Sequence, residues 1–197
     1  MLLDPHLLPP EDFNSLQLSV TERQLTYYRL NPSSYKSATY FDRSGRGRFD
    51  SKEASYSICY VGETIEVAFI ECFGRQLGIK FVSQEFIRTR NLFLIESLRP
   101  FRVVDLFGAG LAQLGIDSRV TCGADYGVSR SWAEAIYHHP QQVDGIRYFS
   151  RHDNTRLCCG LFERVKDSLV ETNLGNLVDL DLFKLAEILE LYGFGTN

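Results

Sequence analysis

The side chains that could do chemistry together in this 197-residue chain are a carboxylate, several arginines, a tyrosine and a serine. Glu71 falls in a segment of helical periodicity, where Thr64 is a suitable N-cap and Val67, Ile70, Gly74 and Leu77 recur at helical spacing through Leu77-Gly78. Lying four residues after Val67 and one after Ile70, the carboxylate shares the apolar face. It therefore needs a partner or a solvated cleft, because burying a lone charge is costly. A structural ion pair with an arginine and a catalytic role both meet that need. The loop Arg43-Ser44-Gly45-Arg46-Gly47-Arg48-Phe49-Asp50 interleaves glycines that turn tightly with guanidinium forks that suit phosphate oxygens. A solvated, flexible loop would have the same composition. Arg29 sits inside an apolar, aromatic segment and also calls for an anion. Tyr60 ends a strand just before the Glu71 helix, as plain packing would equally explain. Ser150 opens the loop Ser150-Arg151-His152-Asp153, where turn chemistry is the ordinary reason for a serine.

These residues must be held by short strands and separate helices. Leu25 to Leu30 has strand density and ends at Asn31-Pro32; Ser33 to Lys52 has loop composition; Ser57 to Val61 is a second strand closed by Gly62. Asn91 to Glu96, Arg102 to Leu106, Ile146 to Phe149 and Leu157 to Arg164 also read as strands. A helix is expected from about Ser129 to His138, stopped by Pro140, and a last one from about Leu180 to Tyr192, ended by Gly193. Without regular βαβ alternation, this is an α+β domain of short mixed or antiparallel strands with flanking helices. The expected organisation is an N-terminal arm over 1–24, with a helical turn near Glu11, a main domain over 25–165, and an acidic extension over 166–197. In that extension six acids face two lysines, and Leu182, Leu185, Ala186 and Leu189 form an apolar stripe that could pack on the domain or on a partner. The strand-and-glycine run Arg102 to Gly110 imitates a dinucleotide fold, but the glycines at 108, 110 and 115 do not fit G-x-G-x-x-G.

Composition removes several function classes. A hydrophobic fraction of 44% suits a soluble globular protein, and a net charge of -4 argues against direct nucleic-acid binding. No apolar run approaches the roughly 20 residues of a membrane span. Asp4 and three prolines break the apolar N-terminus, so a signal peptide is not expected and the reading is a cytoplasmic protein. Five cysteines, none in a C-x-x-C pair, read as reduced thiols, with Cys59 and Cys72 in apolar segments. No metal site is expected, since adjacent His138-His139 side chains would diverge by about 100° on a helix.

The succession Tyr28-Arg29, Gly45-Arg46-Gly47-Arg48-Phe49, Ile58-Cys59-Tyr60 and Ala68-Phe69-Ile70-Glu71 resembles the RES domain, named for its Arg, Glu and Ser. Val103 to Leu106, Trp132-Ala133, Asp144 to Tyr148 and Ser150-Arg151 are similar to that family's later blocks, so the resemblance spans about Tyr27 to Val165. It implies a fold like that of ADP-ribosyltransferases and a bacterial toxin of a type II toxin–antitoxin system, neutralised by an Xre-type helix-turn-helix antitoxin. It also implies an enzyme that consumes NAD as substrate rather than cofactor, as an NAD phosphorylase using inorganic phosphate or as an NAD glycohydrolase. ADP-ribosyl transfer to a protein and a non-catalytic binding module are the alternatives, and a homo-oligomer is compatible with either. By resemblance Glu71, Arg48 and Tyr60 are catalytic, while Arg29, Arg46 and Ser150 bind substrate. Two positions depart from the family's usual Gly-Gly-Arg-Phe-Asn: Arg46 replaces a glycine and Asp50 the asparagine. Asp50 places a negative charge beside the expected phosphate loop, which Arg46 would offset.

Overall fold

Alternating apolar and polar residues over short β-branched and aromatic runs build a mixed eight-stranded sheet in the computed structural model, which describes residues 7–197. The strands are β1 (Val20–Arg23), β2 (Thr26–Pro32), β3 (Ile58–Gly62), β4 (Arg90–Ser97), β5 (Phe101–Asp105), β6 (Gly145–Phe149), β7 (Leu157–Phe162) and β8 (Leu169–Gly175). Their order across the sheet is β1-β5-β6-β7-β3-β2-β4-β8, antiparallel except for the β5–β6 pair. Between β2 and β3 the only paired position is Tyr28 with Gly62, so the middle of the sheet parts there.

The helices are α1 (Ile65–Phe73), α2 (Gln84–Arg88), α3 (Ala109–Gln113), α4 (Arg119–Cys122), α5 (Gly127–His138), α6 (Leu177–Leu180) and α7 (Leu182–Tyr192). On one face of the sheet, Val67, Phe69 and Ile70 of α1, Trp132 and Ile136 of α5, and Ile188 of α7 join one core with Ile58, Ile146 and Phe162. A smaller core on the other face gathers Tyr27, Cys59, Phe93, Phe101, Cys159 and Val165. No helix among the described residues is long and apolar enough to cross a membrane.

Several expected elements appear with shifted bounds. Thr64 caps α1 by accepting from the Val67 amide, but the helix stops at Phe73 rather than Leu77. Gly74 closes it, and Leu77 is 84% exposed, off any core face. The last helix begins after Asp181, whose side chain caps it, and ends at Gly193 with φ of 64°. Its buried stripe is Leu185, Ile188 and Leu189, whereas Leu182 and Ala186 are exposed. The stretch after Val165, expected to be an appendage, leaves a short 3-10 segment (Glu163–Ser168) for β8, which pairs with β4 as an edge of the same sheet. The end of the expected arm likewise enters the sheet as β1, beside β5. Met1 to His6 of that arm lie outside the described residues, and its helical turn is the short 3-10 segment Phe13–Ser15.

Candidate active site

Glu71 sits near the C-terminal end of α1, half-buried, and no Lys, Arg or His among the described residues lies within ion-pair distance of it. The expected alternative of a structural ion pair is therefore not what holds this carboxylate. Its Oε1 accepts a 2.6 Å hydrogen bond from Ser150 Oγ. Ser150 is fully buried, and its Oγ in turn accepts from the His152 and Asp153 amides at 3.1 and 3.3 Å. With both acceptor positions filled by amides, the hydroxyl proton is directed to Glu71. The Cys158 Sγ lies 4.0 Å from the same Oε1, and burial, then the Glu71 charge, push that thiol well above its ordinary pKa.

The arginine-rich loop is exposed at Arg43, Ser44 and Arg46 but closes in an ordered, largely buried turn over Gly47 to Asp50. Asp50 is buried and its carboxylate accepts from the Gly47 amide at 2.7 Å and from the Tyr60 hydroxyl at 2.7 Å. Tyr60 Oη accepts from the Phe49 amide at 2.9 Å, and Arg130 donates to the Gly47 carbonyl at 3.0 and 3.1 Å. A Cβ on Gly47 would run into the Asp50 carboxylate and lie 2.5 Å from the Tyr60 hydroxyl, so only glycine fits. The charge of Asp50 is thus spent inside the turn, and burial followed by Asp50 raises the Tyr60 phenol well above its ordinary pKa.

That turn delivers Arg48 to the cavity. The residue is 8% exposed; one Nη donates to the Gly123 carbonyl at 2.7 Å, and the guanidinium lies 4.5 Å from the Tyr126 ring centroid. The other, Nη2, is buried without a hydrogen-bond partner. Burial pulls the Arg48 pKa down, although arginine stays charged in any ordinary range. Arg48 borders the cavity, and a guanidinium at such a wall suits an anion.

The other expected residues are placed differently. Arg46 is exposed at the rim. Arg29 borders the cavity, yet strand alternation puts it with Tyr27 on the face away from α1, where its Nη1 donates to the carbonyls of Ala38 and Tyr40 at 2.7 and 3.1 Å and contacts Cys59 Sγ at 2.9 Å. Ser150 does not line the main cavity; it orients Glu71. Residues the sequence reading did not single out also line the site: Tyr28, Tyr126, Tyr148, Arg151, His152 and Cys158. Burial holds the His152 imidazole below its usual pKa against the upward pull of Glu71.

The cavity has a volume of about 770 Å³, within the range of small-molecule sites. Arg29, Arg46, Arg48, Arg75, Arg90 and Arg151 border it against the two acids Asp42 and Glu71. An electropositive cleft with one oriented carboxylate and several aromatic rings suits an anionic ligand that also carries a flat ring system and a centre where positive charge can develop.

A family model described as RES domain matches residues 26–181. The crystal structure of the M. tuberculosis MbcT–MbcA toxin–antitoxin complex contains a chain similar in fold, with a TM-score of 0.64 and 13% sequence identity over 96% of this chain and 98% of that one. No curated protein matches the sequence.

Proposed function

The chain belongs to the RES domain family, and on that footing we propose that it is the toxin of a type II toxin–antitoxin system and depletes NAD by cleaving the nicotinamide–ribose bond. The observation that carries this reading is Glu71, paired with no cation among the described residues and oriented by Ser150, in a cavity that six arginines also border. In NAD the nicotinamide nitrogen is already positive, so the C1′–N bond can break with its electron pair passing to the ring and no general acid. The ribose becomes oxocarbenium-like, and a fixed carboxylate stabilises that charge most where it is greatest. Glu71 supplies this stabilisation. Arg48, whose side chain borders the cavity, takes a phosphate oxygen of the substrate or of an incoming inorganic phosphate.

Tyr60 acts by bracing the turn that aims Arg48, since its hydroxyl donates to Asp50 and accepts from the Phe49 amide there; Arg46 screens the rim. Ser150 fixes the carboxylate. An acceptor oxygen then bonds to C1′: phosphate yields a ribose phosphate ester, and water, losing a proton, yields free ADP-ribose. No bound cofactor is invoked. The antitoxin is taken to be of the Xre helix-turn-helix type, the neighbour in fold being part of a toxin–antitoxin complex, and the protein is taken to act in the cytoplasm. Glu71→Gln tests the assignment: nicotinamide release is expected to fall about a hundredfold or more while the fold and NAD binding persist. A folded variant with parental turnover would overturn it.

A further inference from the structure

We infer that Tyr192, the last residue of α7, is a positioning residue for Glu71 that acts through Asp153 and Ser150. The inference rests on the reading of Glu71 as the catalytic carboxylate. Ser150 Oγ fixes Glu71, and what fixes Ser150 Oγ is the pair of amides from His152 and Asp153. The segment 150–156 is otherwise bonded mainly to itself. Asp153 Oδ1 accepts from the Thr155 amide and hydroxyl, Oδ2 accepts from Arg156, and the Ser150 amide donates to the Arg156 carbonyl. Apart from Ser150–Glu71, one hydrogen bond among the described residues ties these loop positions to another element: Tyr192 Oη donates to Asp153 Oδ2 at 2.9 Å.

Tyr192 is itself well placed to carry a fixed position to that loop. Its ring lies parallel to Phe69 of α1, with centroids 6.5 Å apart, and its carbonyl accepts from Lys80. Lys184 of α7 meets Glu66 of α1 at 2.6 Å. Helix α7 therefore grips both supports of the carboxylate: the helix that bears Glu71 and the loop that bears Ser150. If either moves, the distance between them changes, and displacements of about 1 Å at a reacting centre can cost up to about a hundredfold in rate. The acidic C-terminal segment thereby gains a role in catalysis without touching substrate.

Tyr192→Phe removes the hydroxyl and keeps the ring on Phe69, so the core is retained. The test measures nicotinamide release from NAD for the parental protein, Tyr192→Phe, Ser150→Ala and the double variant, with amide hydrogen exchange at His152 and Asp153. The expected result for Tyr192→Phe is a kcat about tenfold lower at unchanged KM, faster exchange at both amides, and no further loss when Ser150 is already alanine. Unchanged exchange, or rate losses that multiply in the double variant, would overturn the inference. Should the parental protein release no nicotinamide, the functional reading falls. The exchange measurement then decides the brace alone: faster exchange in Tyr192→Phe supports it and parental exchange overturns it.

Discussion

Arg48 combines burial with an unsatisfied donor. Its guanidinium is 8% exposed and Nη2 is unpartnered, and an unsatisfied buried donor costs about 1–3 kcal/mol. Arg48→Met should hold or raise Tm while raising the KM for NAD at least tenfold, as read by thermal unfolding and initial rates. A lowered Tm with unchanged KM would make Arg48 structural. Asp153 makes a pH-dependent contribution of the opposite kind. Hydrogen bonds from Thr155, Tyr192 and Arg156 outweigh burial and hold its carboxyl at about 2, below the usual 3.8. The folded state thus binds fewer protons than the unfolded one between those values, and this stability is full above about 4 and lost as pH falls through about 2. Asp153→Asn should flatten acid unfolding in that window, measured by denaturation at a series of pH values. Residue types marked which side chains need a polar partner, because few environments suit an arginine or carboxylate on an apolar segment. They did not tell direction: Arg29, next to Tyr28 on β2, must face the other side of the sheet, and there it ties the 38–40 loop. Nor did they reveal that Asp50 is consumed by Gly47 and Tyr60, a contact that exists only once the turn has formed.

The helices and strands with strong periodicity were legible, and the misread elements share a physical cause. β8 alternates weakly because it is an edge strand with no fully buried residue, and its one acid serves the fold: Glu171 accepts from the Ala38 and Thr39 amides at 2.8 and 2.7 Å. Helix α1 is shorter than its apolar pattern because Gly74 ends it, leaving Leu77 in solvent. The expected boundary at Val165 cuts through the sheet and would remove Leu177, Val178, Leu185, Ile188, Leu189 and Phe194 from the core. A chain truncated after Val165 should therefore fail to give a cooperative unfolding transition, whereas an independent extension would leave one intact. A second element-level device went unseen in the sequence. Arg147 on β6, 7% exposed, joins Glu63 at 2.7 Å and Asp105 at 3.0 Å and so locks the turn before α1 to β5. Arg147→Met, which strands two partly buried acids, should cost about 3 kcal/mol in a chemical denaturation curve.

Across the whole molecule charge is segregated: the chain carries a net charge of -4, yet six arginines against two acids border the cavity. Such a cleft draws in an anion from a distance comparable with the Debye length, about 8–10 Å at physiological salt. The KM for NAD should accordingly rise with added salt while kcat changes little, and a KM indifferent to salt would count against an electrostatic role for the lining. The same segregation explains why overall acidity and an arginine-rich cleft coexist in one chain, and why net charge alone does not point to the ligand. The most direct test of NAD cleavage is to incubate the purified protein with NAD, with and without inorganic phosphate, and to identify the products by mass spectrometry. Free nicotinamide is expected, together with ADP-ribose or its phosphate ester, whichever acceptor the enzyme uses. Intact NAD after incubation with folded, antitoxin-free protein would contradict it.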